Sequence, residues 1–250
     1  MIDLTDRVAL VTGAGRGIGA ATARTLAENG ADVVVTDVLP ERGDVAAEIE
    51  SDGGTALARE MDVTDPAEVE AVVEDAADRL GTVDVLVNNA GIFPSTSLSE
   101  MTREEWNRVI DVNLNGVYNC TAAVLPGMRE ESFGRVVNVA SVSGGHIGWS
   151  GDLAHYAASK GGVVGFTRSA AIGLGPDGIT VNAIAPGWIR TEGAEQGMTD
   201  EAAEQIAGAT PVRRGGRPEE IAGLAAYLSS DLAGFVTGAT IVADGGYSLV

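Results

Sequence analysis

The sequence predicts an α/β chain of 250 residues: one domain built as a three-layer sandwich, with a parallel sheet of about seven strands and helices on both faces. Three observations predict it. Short β-branched runs recur along the whole chain, and alanine-rich stretches with helical period lie between them. The runs are continuous apolar segments such as "VALV" and "DVVV", which fit a sheet buried on both sides. Alternation of this kind requires right-handed crossovers between parallel strands. Ligands on such a sheet bind beyond the carboxyl ends of its strands, so the residues that follow each strand hold the functional information.

The strand runs fall at 7–12, 32–37, 55–63 (the weakest), 83–89, 134–141, 178–186 and 239–246. After the first, "GAATARTLAENG" reads as a helix that stops at Gly30. "DPAEVEAVVEDAADRLG" has Asp65 as N-cap, Pro66 at the first helical position and Gly81 as its stop. "GVYNCTAAVLPGM" reads as a buried helix with Cys120 as a small core hydrophobe. Cys120 is the sole cysteine, which excludes an intrachain disulfide. "YAASKGGVVGFTRSAAIGL" reads as a further helix, starting at Tyr156.

The net charge is −20, from 36 acids against 15 arginines and a single lysine, Lys160. The acids are spread along helical stretches, as solvated faces are. Such a surface repels phosphate and excludes nucleic acid and anionic membranes as partners. It also fits a halophilic, salt-rich cytoplasm, where the Debye length falls to roughly 3 Å at 1 M salt. "MIDLTDR" lacks the basic start of a signal peptide, and no run of 18 apolar residues occurs, so a cytoplasmic protein is expected. His146, His155 and Cys120 show no metal-ligand spacing, and no metal is expected.

Directly after the first strand comes "TGAGRGIG", with Gly13, Gly17 and Gly19 in a 4+2 spacing, Gly15 extra, and Arg16 and Ile18 between them. This differs from G-x-G-x-x-G, but the position between a strand and a helix suits a pyrophosphate. Asp37 closes the second strand, where a carboxylate accepts hydrogen bonds from an adenosine ribose and repels a 2′-phosphate. NAD is therefore expected over NADP, although Arg16 could reach such a phosphate. Tyr156 and Lys160 stand at i and i+4 on one helix face. An ammonium there is expected to favour the phenolate and lower a pKa that is ordinarily near 10. A merely solvated lysine would have drifted to arginine with the rest.

These residues resemble the short-chain dehydrogenase/reductase family over essentially the whole chain. The matching pieces are "TGAGRGIG", Asp37, "DV" at 62–63, "NNAG" at 88–91, "DVNLNG", "NVASVSG", "YAASK" and "NAIAPGWIRT". The resemblance implies a Rossmann-like domain spanning 1–250, with a substrate lid at about 188–213. It implies Tyr156 as acid/base and Lys160 as its partner and ribose anchor. Ser141 would bond the substrate oxygen, with Ser143 as the rival, since the spacing to Tyr156 exceeds the family's by about two residues. Asn113 would kink its helix and hold a proton-relaying water. Asp62 and Val63 would hold adenine. Asn89, Ala90 and Gly91 would pass the adenosine ribose, and Pro186, Gly187, Ile189 and Thr191 would seat the carboxamide. His146 and His155 are expected to shape or line the pocket rather than catalyse, and Trp149, Trp188 and Met198 are candidate pocket walls.

The implied activity is hydride transfer between NAD(H) and a secondary alcohol or ketone, with a small neutral alcohol, sugar or ketone as substrate. The alternatives are a 3-oxoacyl-thioester reductase, a non-catalytic NAD-binding regulator, and a dehydratase or epimerase. The apolar end "GFVTGATIVADGGYSLV" implies a homodimer or homotetramer.

Overall fold

Side chains of β1 (Val8–Thr12) alternate between two hydrophobic layers, and that alternation organises the molecule. Ala9 and Val11 join one layer, and Val8 and Leu10 join the other. The computed structural model describes residues 1–148, 151–195 and 199–250. The expected Trp149 and Met198 lie outside them.

The remaining strands are β2 (Asp32–Asp37), β3 (Ala56–Glu60), β4 (Val83–Asn88), β5 (Gly134–Val139), β6 (Ile179–Pro186) and β7 (Thr240–Ala243). They form one sheet in the order β3-β2-β1-β4-β5-β6-β7, and every pairing is parallel. The order reverses after β1, so β1 and β4 diverge at their carboxyl ends and open a crevice there.

Helices α1 (Gly17–Glu28) and α2 (Arg42–Ser51) cover one face, joined later by α9 (Pro218–Ser229). Helices α3 (Pro66–Leu80), α5 (Gly116–Glu130) and α6 (Ala154–Leu174) cover the other. The caps follow the sequence. Asp65 accepts from the backbone N–H groups of Ala67 and Glu68, with Pro66 at the first helical position. Gly81, at φ 107°, ends α3.

Helix α4 (Arg103–Ile110) starts from a capping box of Thr102 and Glu105. It runs into a π-helical turn at Asp111–Asn115 before α5. After β6 come two short helices, α7 (Glu192–Glu195) and α8 (Asp200–Ala209).

β3 and β7 fall furthest short of the lengths that the sequence predicts, for a local reason. After β3, the Asp62 carboxylate accepts from the N–H and hydroxyl of Thr64 and turns the chain. After β7, Asp244 accepts from the N–H groups of Gly246 and Ser248. In both places an aspartate offers the backbone a turn that outcompetes the ladder. Among the described residues no helix is long and apolar enough to cross a membrane.

Candidate active site

A cleft of about 1760 Å³ opens across the carboxyl ends of β1, β2, β4, β5 and β6. Its nucleotide half is built from the β1–α1 loop. Gly13 has φ +63°, and a Cβ on it would lie 2.8 Å from the Ala90 Cα. Gly19 lies beneath the loop, where a Cβ would overlap the Gly13 carbonyl oxygen, so only glycine lets the helix approach β1 so closely. The N-terminus of α1 has no side-chain cap and no acid in its first turn. Its leading N–H groups and dipole are thus free to face an anion. A dinucleotide pyrophosphate fits this cradle.

Asp37 lines the same half. One of its carboxylate oxygens accepts from the Gly15 N–H at 2.9 Å, and the other accepts from the Leu39 N–H at 3.0 Å. Arg16, Gly17, Ile18, Asp62 and Val63 also line the cleft. The Asn119 amide donates to the Val63 carbonyl at 2.9 Å and fixes that wall.

Asn89, Ala90 and Gly91 line the cleft where β4 ends. The Asn89 side chain serves as a strut: its amide donates to the carbonyls of Thr12 and Gly13, both at 2.9 Å. The Thr12 hydroxyl accepts from the N–H groups of Asn89 and Ala90 at 3.0 Å. This interlock ends β4 at Asn88, one residue before the predicted end. Below it, a buried amide ladder crosses the sheet. Asn88 donates to Thr121 on α5 and to Asn138 on β5, and Asn138 donates to Thr167 on α6.

The catalytic half centres on α6. Lys160 is almost fully buried, and its Nζ donates to the Val139 carbonyl at 2.7 Å. Burial pulls its pKa down from 10.5 to about 8. Tyr156 lies one turn earlier, with Nζ 5.9 Å from its ring centroid. The phenol is pushed above its ordinary value by burial, opposed by a hydrogen bond with Ser141. This corrects the expectation of a lowered value. The dry pocket penalises both charges, and the protein's own groups do not overcome that penalty.

Ser141 and Ser143 are both buried at the cleft wall, but their roles differ. Ser141 bonds the phenol, whereas the Ser143 N–H donates to the Ser141 hydroxyl at 3.2 Å. The Ser141 hydroxyl is therefore the one that converges with Tyr156. Pro186, Gly187, Trp188, Ile189 and Thr191 close the far wall.

Asn113, His146 and His155 do not line the cleft, and the π turn at Asn113 is the kink expected in its helix. Asn113 is fully buried behind the cleft, in the π turn. Its carbonyl oxygen accepts from the Ile92 N–H and its amide donates to the Ile92 carbonyl, both at 2.8 Å. Gly91 packs between Asn113 and Lys160: a Cβ on it would lie 3.4 Å from the Asn113 Oδ1 and 3.5 Å from Nζ. His146 is exposed and lines no part of the cleft. Its N–H bonds back to Val142, and Gly145 at φ +120° turns the chain outward. It is no pocket wall.

Phe93 and Leu153 were not foreseen. Both line the cleft, and the Phe93 ring meets the Tyr156 ring edge-on with centroids 6.2 Å apart. Phe93 is 50% exposed, and the only signal for it is an apolar residue just after "NNAG". Among the described residues no group of His, Cys, Asp or Glu could hold a metal ion.

The comparisons agree with this geometry. A family model described as enoyl-(acyl carrier protein) reductase matches residues 13–248. A 3-oxoacyl-[acyl-carrier-protein] reductase from Synechocystis sp. is 45% identical over 250 residues, covering 98% of each chain. A cis-4-hydroxycyclohexanecarboxylate dehydrogenase from Sinomonas cyclohexanicum is 44% identical over 246 residues, again covering 98% of each. Among solved structures, a gluconate 5-dehydrogenase from Burkholderia cenocepacia, in complex with NADP and tartrate, superposes with a TM-score of 0.94. It is 34% identical and covers 100% of this chain and 98% of that one. With a glycine-loop cradle, a convergent Ser–Tyr–Lys set and full-length relatives, the chain belongs to the short-chain dehydrogenase/reductase family of NAD(P)-binding oxidoreductases.

Proposed function

We propose that this oxidoreductase transfers hydride between NAD(H) and a secondary alcohol or ketone, with Tyr156 as acid/base. The observation that supports this best is the convergence of the Ser141 hydroxyl, the Tyr156 phenol and buried Lys160 beside the glycine-loop cleft. When bound, the cofactor takes up hydride from the carbinol carbon, or returns it to the ketone. In the reduction direction the protonated Tyr156 phenol gives its proton to the carbonyl oxygen as hydride reaches the carbon, and oxidation runs the same transfer in reverse. Ser141 donates to the same oxygen and stabilises its developing charge. Lys160, anchored by Val139, supplies the cationic field on the phenolate and a donor for the nicotinamide ribose. Gly13, Gly17 and the start of α1 hold the pyrophosphate. Pro186, Gly187, Ile189 and Thr191 hold the carboxamide end. The stretch 188–213 acts as the lid.

The cleft is also lined by Ile92, Phe93, Val142, Leu153, Trp188 and Ala194, with Phe93 against the Tyr156 ring. Apolar lining with two serine hydroxyls suits a small neutral alcohol, sugar or ketone. The name of the Synechocystis relative favours a second reading, reduction of a 3-oxoacyl thioester. A chain of net charge −20 is poorly suited to an acidic carrier protein, so the first reading is preferred. Nicotinamide absorbance over a panel of alcohols, ketones and a 3-oxoacyl thioester separates the two. Turnover of the thioester alone overturns the first, and no turnover of any of them points to a regulator.

For the cofactor we favour NAD, because Asp37 presents its carboxylate at the end of β2. Asp37→Ser is expected to cut the NAD-over-NADP ratio of kcat/KM by about tenfold or more, equivalent to 1.4 kcal/mol of discrimination. An unchanged ratio would shift the assignment to Arg16.

The assembly we propose is a homodimer or homotetramer of a salt-adapted cytoplasmic protein. Half-buried β7 forms a sheet edge, and Phe235, Leu249 and Val250 are exposed beyond it. Edge strands and apolar ends of this kind need cover. Screening a charge of −20 should also favour the folded, assembled state. Light scattering and thermal melts from dilute buffer to molar KCl should therefore show an oligomer whose melting temperature rises with salt. A monomer mass at high salt removes the assembly, and a melting temperature indifferent to salt removes the adaptation.

A further inference from the structure

Tyr156 stands in the first turn of α6, where backbone N–H groups have no intrahelical acceptor. Most helices satisfy one of these with a Ser, Thr, Asp or Asn just before the first turn. Here that residue is Leu153, which offers no side-chain cap, and the first turn holds no acid. The Tyr156 N–H is instead taken by the side chain of its neighbour: it donates to the His155 Nδ1 at 2.9 Å.

His155 is completely buried, and among the described residues its Nε2 has no hydrogen-bond partner. A solvent-excluded imidazole with one orphaned nitrogen costs stability, so its single bond needs a reason. The bond also fixes the chemistry of the ring. Because Nδ1 accepts, it carries no proton, and the neutral ring holds its proton on Nε2.

The other side of the Tyr156 residue is held as well. Its carbonyl accepts from the Ser159 hydroxyl at 2.7 Å. Ser159 is fully buried and in turn accepts from the Asn113 amide at 3.2 Å. The N–H and the carbonyl of Tyr156 are thus each gripped by a buried side chain. The surrounding loop is tied to the same turn. Thr96 donates its N–H to the Asp152 carbonyl at 2.9 Å, and its hydroxyl reaches Glu105 on α4. Glu105 is held below the usual carboxylate range by its hydrogen bonds from Thr102, the backbone N–H first.

We propose that His155 is a positioning residue for the reaction. Through Nδ1 it caps the helix that carries Tyr156 and Lys160, and so fixes the aim of the phenol at the Ser141 hydroxyl. The ring touches neither substrate nor cofactor, since it does not line the cleft. Its effect passes through the Tyr156 backbone, and a small misplacement of a proton-transferring group is enough to slow turnover strongly.

The inference rests on Tyr156 being the acid/base, which Tyr156→Phe tests separately. Two variants and one spectrum test the cap itself. His155→Leu removes the acceptor and keeps apolar bulk, and is expected to lower kcat by about tenfold or more with cofactor affinity within about twofold of wild type. His155→Asn restores an oxygen acceptor, and is expected to recover kcat to within about threefold of wild type. Nitrogen-15 NMR of the wild-type imidazole should show unprotonated Nδ1 and protonated Nε2 at neutral pH.

A proton on Nδ1 overturns the proposal, whatever the activity. So does an Asn variant as slow as the Leu variant, or a Leu variant with wild-type kcat. If the Leu variant does not fold, the tautomer and the Asn variant decide. A merely structural role would alter stability without making kcat follow the acceptor.

Discussion

Tyr156→Phe is expected to lower kcat by about three orders of magnitude, within the range of general acid/base catalysis, and to leave the fold intact. The change removes one oxygen. The ring keeps its packing against Phe93, and α6 keeps its caps, because those bonds use the backbone. What disappears is the group that exchanges a proton with the substrate oxygen. The Ser141 hydroxyl then loses the phenol and keeps only its bond from the Ser143 N–H. The loss should appear in kcat, with cofactor affinity nearly unchanged, since the glycine loop lies elsewhere in the cleft. Steady-state rates with titration of cofactor fluorescence check both. Activity within tenfold of wild type would remove Tyr156 from the chemistry.

Lys160→Arg is expected to lower kcat/KM by about a hundredfold, although it conserves charge. The Nζ sits in a buried slot against the Val139 carbonyl, with Gly91 packed close by. A planar guanidinium is wider than an ammonium and cannot occupy that slot without moving the wall.

The pH profile gives a second reading. Lys160 has its pKa drawn down to about 8 by burial, so its charge is lost as pH rises through that value. A limb near pH 8 is therefore expected in the wild-type kcat/KM profile, and arginine, charged throughout, should abolish it. The sign for stability follows from the same shift. Between about 8 and 10.5 the unfolded chain binds the proton that the folded chain has released, so this residue's contribution to stability rises with pH across that window. An arginine variant that retains near-full activity and keeps the limb would sever the lysine from the mechanism.

The sheet was legible because every strand but β3 is rich in β-branched residues. Asp37 and Pro186 end strands and line the cleft, and Asn89 lines it just after β4 ends. Residues that reach the cleft through a strand end or the glycine loop could be placed from order alone. Those acting from one layer behind were legible only in part. The resemblance implies Asn113 and a kink in its helix, but not its bonds to Ile92 and Ser159. His155 is expected to shape or line the pocket, whereas it lies buried behind the cleft and bonds the Tyr156 N–H. His146 was misplaced because a positive-φ glycine, not the sequence distance from Ser141, decides which way that loop faces. The direction of the Tyr156 shift was missed because a sequence shows charge neighbours but not the dryness around them.

The two bonds that Asp37 makes to Gly15 and Leu39 bear on how this lineage could change its coenzyme. On the proposed assignment, the carboxylate that would discriminate at the ribose also latches the two loops that form the nucleotide half of the cleft. Replacing it to admit a 2′-phosphate also releases both latches, so the first mutant on such a path would bind either coenzyme poorly. Evolution towards NADP would then cross a fitness valley unless a second substitution restored the latch first. That epistasis makes coenzyme choice here a historical commitment rather than an adjustable trait.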